Sequence, residues 1–248
     1  MHTTTVSRVS DPPVVLDWLR TLVSIAFVVT VPLLVIGTSL RSLVTDRDLM
    51  LQGFRDNQVA QTTGLDDPQL ARIADAFVAY FQAPPGQIQM QVTVNGQSRP
   101  LFNEREVTHM EDVQALIQLF FKLQIVAVGV AVVRVVFALL LDRSPVPFGR
   151  ELLWSAALMV GLVVLVGVLS AIDFSELWTR FHQVAFRNDL WQLDPRSDYL
   201  IMLFPEPFWY TATIRMATSV ALQTLLLILS GLVLMFGPRF LGGERGSA

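Results

Sequence analysis

Four stretches of this chain leave it little choice of solvent. Thr21–Leu40 runs 20 residues without a charge, Leu152–Ile172 runs 21 and Met216–Pro238 runs 23. A helix rises ~1.5 Å per residue, so about 20 apolar residues cross a hydrocarbon core of ~30 Å. The fourth stretch, Val113–Leu141, is longer and carries Lys122 and Arg134. Those charges lie toward its two ends, where long stems carry them to the interface. Only 16% of residues are charged and 52% are hydrophobic, against about 25% charged in a soluble domain. A soluble α/β domain of this length would spread its apolar residues at amphipathic spacing. The first run exceeds the ~7–15 residues of a signal-peptide core and no A-x-A site follows it, so it is expected to stay as an anchor.

The expected organisation is a four-transmembrane-helix bundle with a small α+β extracytoplasmic cap. Spans at 21–40, 113–141, 152–173 and 213–238 separate flanks at 1–20, 41–112, 142–151, 174–212 and 239–248. The short flanks hold Arg8, Arg20, Arg143, Arg150, Arg239 and Arg245. Short loops rich in Arg stay inside, which puts both termini in the cytoplasm and the two long loops outside, on a multi-pass protein of the cell membrane. In the first loop, Asp67-Pro68 reads as a helix start, and Leu70, Ile73, Ala74, Phe77 and Phe81 recur at helical spacing over 67–82. Alternation at Ile88, Met90, Val92 and Val94 runs into Asn95-Gly96, which predicts a hairpin over 88–102. In the second loop Trp178, Phe181, His182, Ala185 and Phe186 share one helical stripe. Asp194-Pro195 reads as the start of a short helix that Pro205-Glu206-Pro207 stops. The aromatic residues of this loop suit the headgroup level.

A net charge of −3 without a basic run argues against nucleic acid as a partner. With no cysteine in the chain there is no disulfide, thiolate nucleophile or lipobox. No G-x-S-x-G, H-E-x-x-H or P-loop occurs. Of three histidines, His2 is in the N-terminal tail, and His109 and His182 fall in the two long loops. Thr108 and Glu111 have capping-box spacing, which places His109 in the first turn of the second span, where a helix N-terminus disfavours imidazolium. His109 is then either a neutral base or an interfacial side chain, and His182 either a hydrogen-bonded core residue or its acid–base partner. Glu104, Glu106, Asp189 and Asp194 stand near enough in sequence to orient the rings, or to serve as caps and surface charges. A zinc site from the two histidines and a carboxylate has no supporting spacing.

The segment Leu101-Phe102-Asn103-Glu104-Arg105-Glu106-Val107-Thr108-His109-Met110 resembles a signature of the lipoprotein intramolecular transacylase family of four-span bacterial membrane proteins. So do Phe181-His182, Asn188-Asp189-x-Trp191-x-Leu193-Asp194-Pro195 and the run through Asp198 to Phe204 and Pro205. The resemblance implies an active site where cap meets membrane, with His109 and His182 catalytic. It makes Asn103, Glu104, Arg105, Glu106, Phe181, Asn188, Asp189, Trp191, Asp194 and Phe204 candidates for binding or orienting substrate. The implied reaction moves the sn-2 acyl chain of a diacylglyceryl-lipoprotein to the α-amine of its N-terminal cysteine, giving the lyso form. It needs neither a cofactor nor a metal, and its partners are that lipoprotein and membrane lipids. An ester-to-amide transfer within one molecule needs no enzyme nucleophile. It needs a base, a stabilised oxyanion and a proton for the departing oxygen. The helix-terminus argument favours His109 as base and His182 as acid or oxyanion donor. The alternatives are a non-catalytic lipid- or partner-binding protein and a metal-dependent membrane hydrolase.

Overall fold

The computed structural model describes residues 14–142 and 144–242. His2, Arg8, Arg143 and Arg245 lie outside them. In chain order the elements are α1 (Val14–Val44), α2 (Arg47–Asp56), α3 (Val59–Thr63), α4 (Asp67–Gln82), β1 (Gln91–Val94) and β2 (Gln97–Pro100). Then follow α5 (Glu104–Leu141), α6 (Val146–Ile172), α7 (Phe174–Ala185), α8 (Tyr199–Leu203) and α9 (Glu206–Gly242). Among them α1, α5, α6 and α9 are long and apolar enough to cross a membrane. Their outer faces present bare side chains such as Leu139, Ile172 and Leu226, which only a lipid solvent tolerates in such number. α5 packs along α1 and α6 along α9, with α1 also touching α6 and α9. Two glycines permit the α6–α9 approach: a Cβ on Gly149 would stand 2.8 Å from the Gly231 carbonyl.

The helices overrun the apolar stretches that announce them. α5 begins at Glu104 rather than Val113, because its cap is Asn103 and not Thr108. Asn103 Oδ1 accepts the Glu106 N–H at 3.0 Å, and Glu106 returns the bond to the Asn103 N–H at 2.8 Å. The Thr108 hydroxyl donates within the helix to the Glu104 carbonyl, so the Thr108–Glu111 pair caps nothing. At 38 residues and ~1.5 Å each, α5 is about 57 Å long, so its first turns stand clear of a ~30 Å core. α9 likewise begins at Glu206. Its two flanking prolines open the helix, where missing N–H groups cost nothing, and the Phe208 N–H donates to the Pro205 carbonyl. The Asp194-Pro195 segment is a turn, and α8 waits until Tyr199. The side chain that caps α4 is Asp66, one residue before the expected one. No element is expected from the sequence over 41–66, where the end of α1, α2 and α3 lie.

The cap has one hydrophobic core built from both long loops. Phe54, Ile73, Phe77, Phe81, Leu101 and Phe102 meet Tyr199, Leu200, Leu203, Phe204 and Phe208. Phe77 and Phe204 cross edge to face at 4.8 Å. Each such ring contributes about 1.5–3 kcal/mol by leaving water. The hairpin closes through Asn95 and Gly96, both at positive φ, the geometry a two-residue turn between twisted strands requires.

Candidate active site

His109 and His182 lie 73 positions apart in sequence, and their ring centroids stand 6.1 Å apart. His109 projects from the second turn of α5, and α7 brings His182 over it. Asp173 starts α7 by accepting the Glu176 N–H at 2.9 Å. α7 then turns Trp178 and His182 inward and leaves Val184 89% exposed on its outer side. Both imidazoles are buried in a shell of rings. Phe186 meets His109 edge to face at 5.1 Å, Trp178 meets His182 at 4.7 Å, and Trp191 lies 5.2 Å from His182.

The two rings differ in what holds them. His182 Nδ1 is 2.8 Å from the Trp178 carbonyl one turn back. A carbonyl only accepts, so Nδ1 carries a proton and Nε2 holds the titrating lone pair. His109 Nδ1 is buried with no partner among the described residues. Burial lowers the pKa of His182, opposed in part by the Trp178 bond. His109 stands above the apolar run, and burial pushes it down to about 4, with His182 adding to the shift. Both rings are therefore neutral near pH 7.

They sit on the wall of a cavity of about 460 Å³ whose lining is otherwise almost wholly apolar. From the histidines it runs down between α1, α5 and α9, past Leu40, Val113, Ile117 and Met216 to Ile36 and Phe120. Along α5 the descent from His109 to Phe120 covers about 16 Å. At this depth a polar layer ties α1 to α5 and α9. Gln124 donates to Thr38 Oγ1 at 2.9 Å and Gln223 to Ser39 Oγ at 2.8 Å, and Ser39 and Ser219 share a hydrogen bond. Gly37 lets α1 meet α5 here, since its Cβ would lie 2.8 Å from the Gln124 Cβ.

The other residues singled out in the sequence divide into two groups. Phe181, Trp191 and Phe204 line the cavity beside the histidines. Asn103, Glu106 and Asp194 do not; they clasp the two loops together. Buried Glu106 accepts the Leu200 N–H at 2.6 Å with the oxygen its capping bond leaves free. Asn103 Nδ2 donates to Asp198 Oδ1 at 3.0 Å, and Asp198 Oδ2 accepts the Asp194 N–H at 2.7 Å. Arg105 donates to the Asp189 carbonyl, and Asn188 Nδ2 donates to Asp112 at 2.8 Å, both fastening the loop after α7 to α5. Glu104 is exposed. Trp178, Phe186, Trp209 and Glu206, which the sequence does not mark as site residues, also line the cavity. The i, i+4 spacing of Trp178 and His182 was the available signal. Among the described residues no group of three His, Cys, Asp or Glu side chains is gathered as for a metal.

Residues 25–209 match the profile of the family described as lipoprotein intramolecular transacylase Lit. The fold is similar to the structure of the membrane integral lipoprotein intramolecular transacylase Lit from Bacillus cereus. The TM-score is 0.76, with 16% identity, covering 90% of this chain and 99% of that one. A structure of that protein with one histidine replaced by arginine is similar at a TM-score of 0.71 and 15% identity, over 91% and 96% of the two chains. An uncharacterized protein of Aquifex aeolicus (strain VF5) is 25% identical over 226 residues, 91% of this chain and 99% of its own.

Proposed function

This chain belongs to the lipoprotein intramolecular transacylase family, and we propose that it moves the sn-2 acyl chain of a diacylglyceryl-lipoprotein to the α-amine of the N-terminal cysteine through His182 and His109. The product is the lyso, N-acylated form. The observation that carries this reading is the pair of neutral imidazoles 6.1 Å apart on the wall of one acyl-sized apolar cavity. No hydrogen bond joins the two rings among the described residues, which leaves Nε2 of His182 and the N–H of His109 to a bound substrate.

The bond at Trp178 supports His182 as the base, the reverse of the helix-terminus assignment, and the shift of His109 into the second turn of α5 weakens that argument too. Nε2 of His182 accepts a proton as the amine attacks the ester carbonyl. His109 is held neutral by burial and donates its N–H to the developing oxyanion, a role that does not require it to titrate. When the tetrahedral centre collapses, the bond between the former carbonyl carbon and the glyceryl oxygen breaks. The imidazolium of His182 then returns the proton to the departing oxygen. No acyl-enzyme forms. The cavity holds the acyl chain and excludes water, and confining amine and ester together supplies about 7–11 kcal/mol of the barrier. Membrane lipids surround the four spans, the termini face the cytoplasm, and the cap faces outward. Asn188, Asp189 and Arg105 act on substrate only through placing the loop that carries Trp191.

The reaction leaves total mass unchanged, so the test is tandem mass spectrometry that locates the acyl chain on amine or glycerol. Wild-type protein is expected to convert a co-expressed diacylated lipoprotein. His182→Ala should slow conversion by ~10²–10⁴ and His109→Ala by ~10²–10³. Conversion at the wild-type rate by either variant refutes the two-histidine mechanism.

A further inference from the structure

Among the described residues that line the cavity, Glu206 alone carries a carboxylate. It is the first residue of α9, where a helix N-terminus favours a negative group. Oε2 accepts the Ser175 hydroxyl at 2.8 Å, and Oε1 has no partner among the described residues. One turn on, Trp209 stacks against Trp178 with ring centroids 4.7 Å apart and planes 27° apart. Trp178 in turn meets His182. A carboxylate, two indoles and the imidazole therefore follow one another along one wall.

A single carboxylate beside an indole, in a wall otherwise almost wholly apolar, is the chemistry that recognises an organic ammonium. The substrate proposed above has one. An α-amine titrates near ~7.7–8.0, so it arrives mostly protonated at pH 7. We propose that Glu206, beside the indole of Trp209, receives the α-ammonium of the lipoprotein's N-terminal cysteine at the cavity that His182 lines; the ammonium gives one proton to water past the exposed Glu206 carboxylate, and His182 Nε2 takes the second as the amine attacks. Glu206 is a positioning residue for the amine and takes no part in breaking the ester. This inference rests on the transacylase reading.

The test separates the two. A lipopeptide whose two acyl esters are replaced by ethers binds without reacting. Its affinity for the wild-type protein is measured in phosphatidylglycerol nanodiscs, with its α-amine free and with it acetylated. The free amine is expected to bind at least about tenfold more tightly, the effect of one charge-assisted hydrogen bond. Glu206→Gln, which still offers an oxygen to Ser175, should bind both forms equally. With the reactive ester substrate it should raise KM by a similar factor and leave kcat within about threefold. Ser175→Ala removes the Glu206 tether and keeps the charge, so it should preserve the preference for the free amine. Equal binding of both lipopeptides by wild-type protein overturns the proposal, as does a Glu206→Gln variant that still discriminates. Discrimination without acyl transfer would leave the ammonium site standing and sink the transacylase reading instead.

Discussion

Glu106 lies in the segment that resembles the family signature, yet its side chain points away from the cavity and holds the cap together. Glu106→Ala removes the acceptor for two N–H groups, Asn103 at 2.8 Å and Leu200 at 2.6 Å. Hydrogen bonds to a charged group are worth ~1.5–3 kcal/mol each, so the gross loss is ~3–6 kcal/mol. Part of that returns, because burial raises the pKa of Glu106 against the pull of its backbone bonds; the carboxylate sits there at a desolvation cost that alanine does not bear. The net destabilisation is about 2–4 kcal/mol. In a chain of this size each kcal/mol moves Tm by ~2–4 °C, so unfolding should come roughly 5–15 °C earlier. Thermal unfolding in detergent, followed by tryptophan fluorescence, measures it. Below its own transition the variant should still transfer acyl groups, because neither histidine has lost a contact. If Glu106→Ala unfolds at the wild-type temperature and transfers nothing, Glu106 belongs to the chemistry and the clasp is a misreading.

At the other end of the bundle, buried Arg134 binds both oxygens of Glu151 at 2.6 and 2.8 Å and reaches Asp142 at 3.0 Å, which Arg20 also meets. Arg134→Met should cost ~3–5 kcal/mol by stranding Glu151, and adding Glu151→Leu should recover most of it in an unfolding double-mutant cycle. Both His109 and His182 titrate below the ordinary value of ~6.5. The logarithm of kcat/KM should therefore fall with unit slope below about pH 8, as the substrate amine protonates, and steepen to two only well below the ~6.5 of an ordinary histidine. A slope of two already just below ~6.5 would mean that the rings are not desolvated. The sign for stability follows: below ~6.5 the unfolded chain binds more protons than the folded one, so stability declines with acidification toward about pH 4.

The bundle was legible because its signal is continuous and local: 20 uncharged residues can be read without knowing what they touch. The hairpin turn was legible for the same reason, since Asn95-Gly96 carries its own geometry. Helix ends were read less well wherever a cap is shared between distant segments. Asn103 rather than Thr108 starts α5, and Asp198 rather than Asp194 precedes α8, because Asn103 and Asp198 bind each other across 95 positions. No local rule contains that bond. The histidines were found through their scarcity and through the family resemblance. Glu206 was read only as part of a proline-flanked stop, because its place on the cavity wall depends on how α9 meets α7.

The hydrophobic core of the cap is delivered in two instalments. Phe77 and Phe81 emerge from the ribosome early, whereas Leu203, Phe204 and Phe208, which cover them, come more than a hundred residues later. In between, two further helices must be threaded into the bilayer. Throughout that interval the first loop carries an uncovered greasy face, and until α7 follows His109 has no counterpart. A nascent chain interrupted before α8 is therefore no partial enzyme but a client for surveillance proteases. Catalytic competence and a finished fold arrive in the same step, with the last segment to leave the membrane.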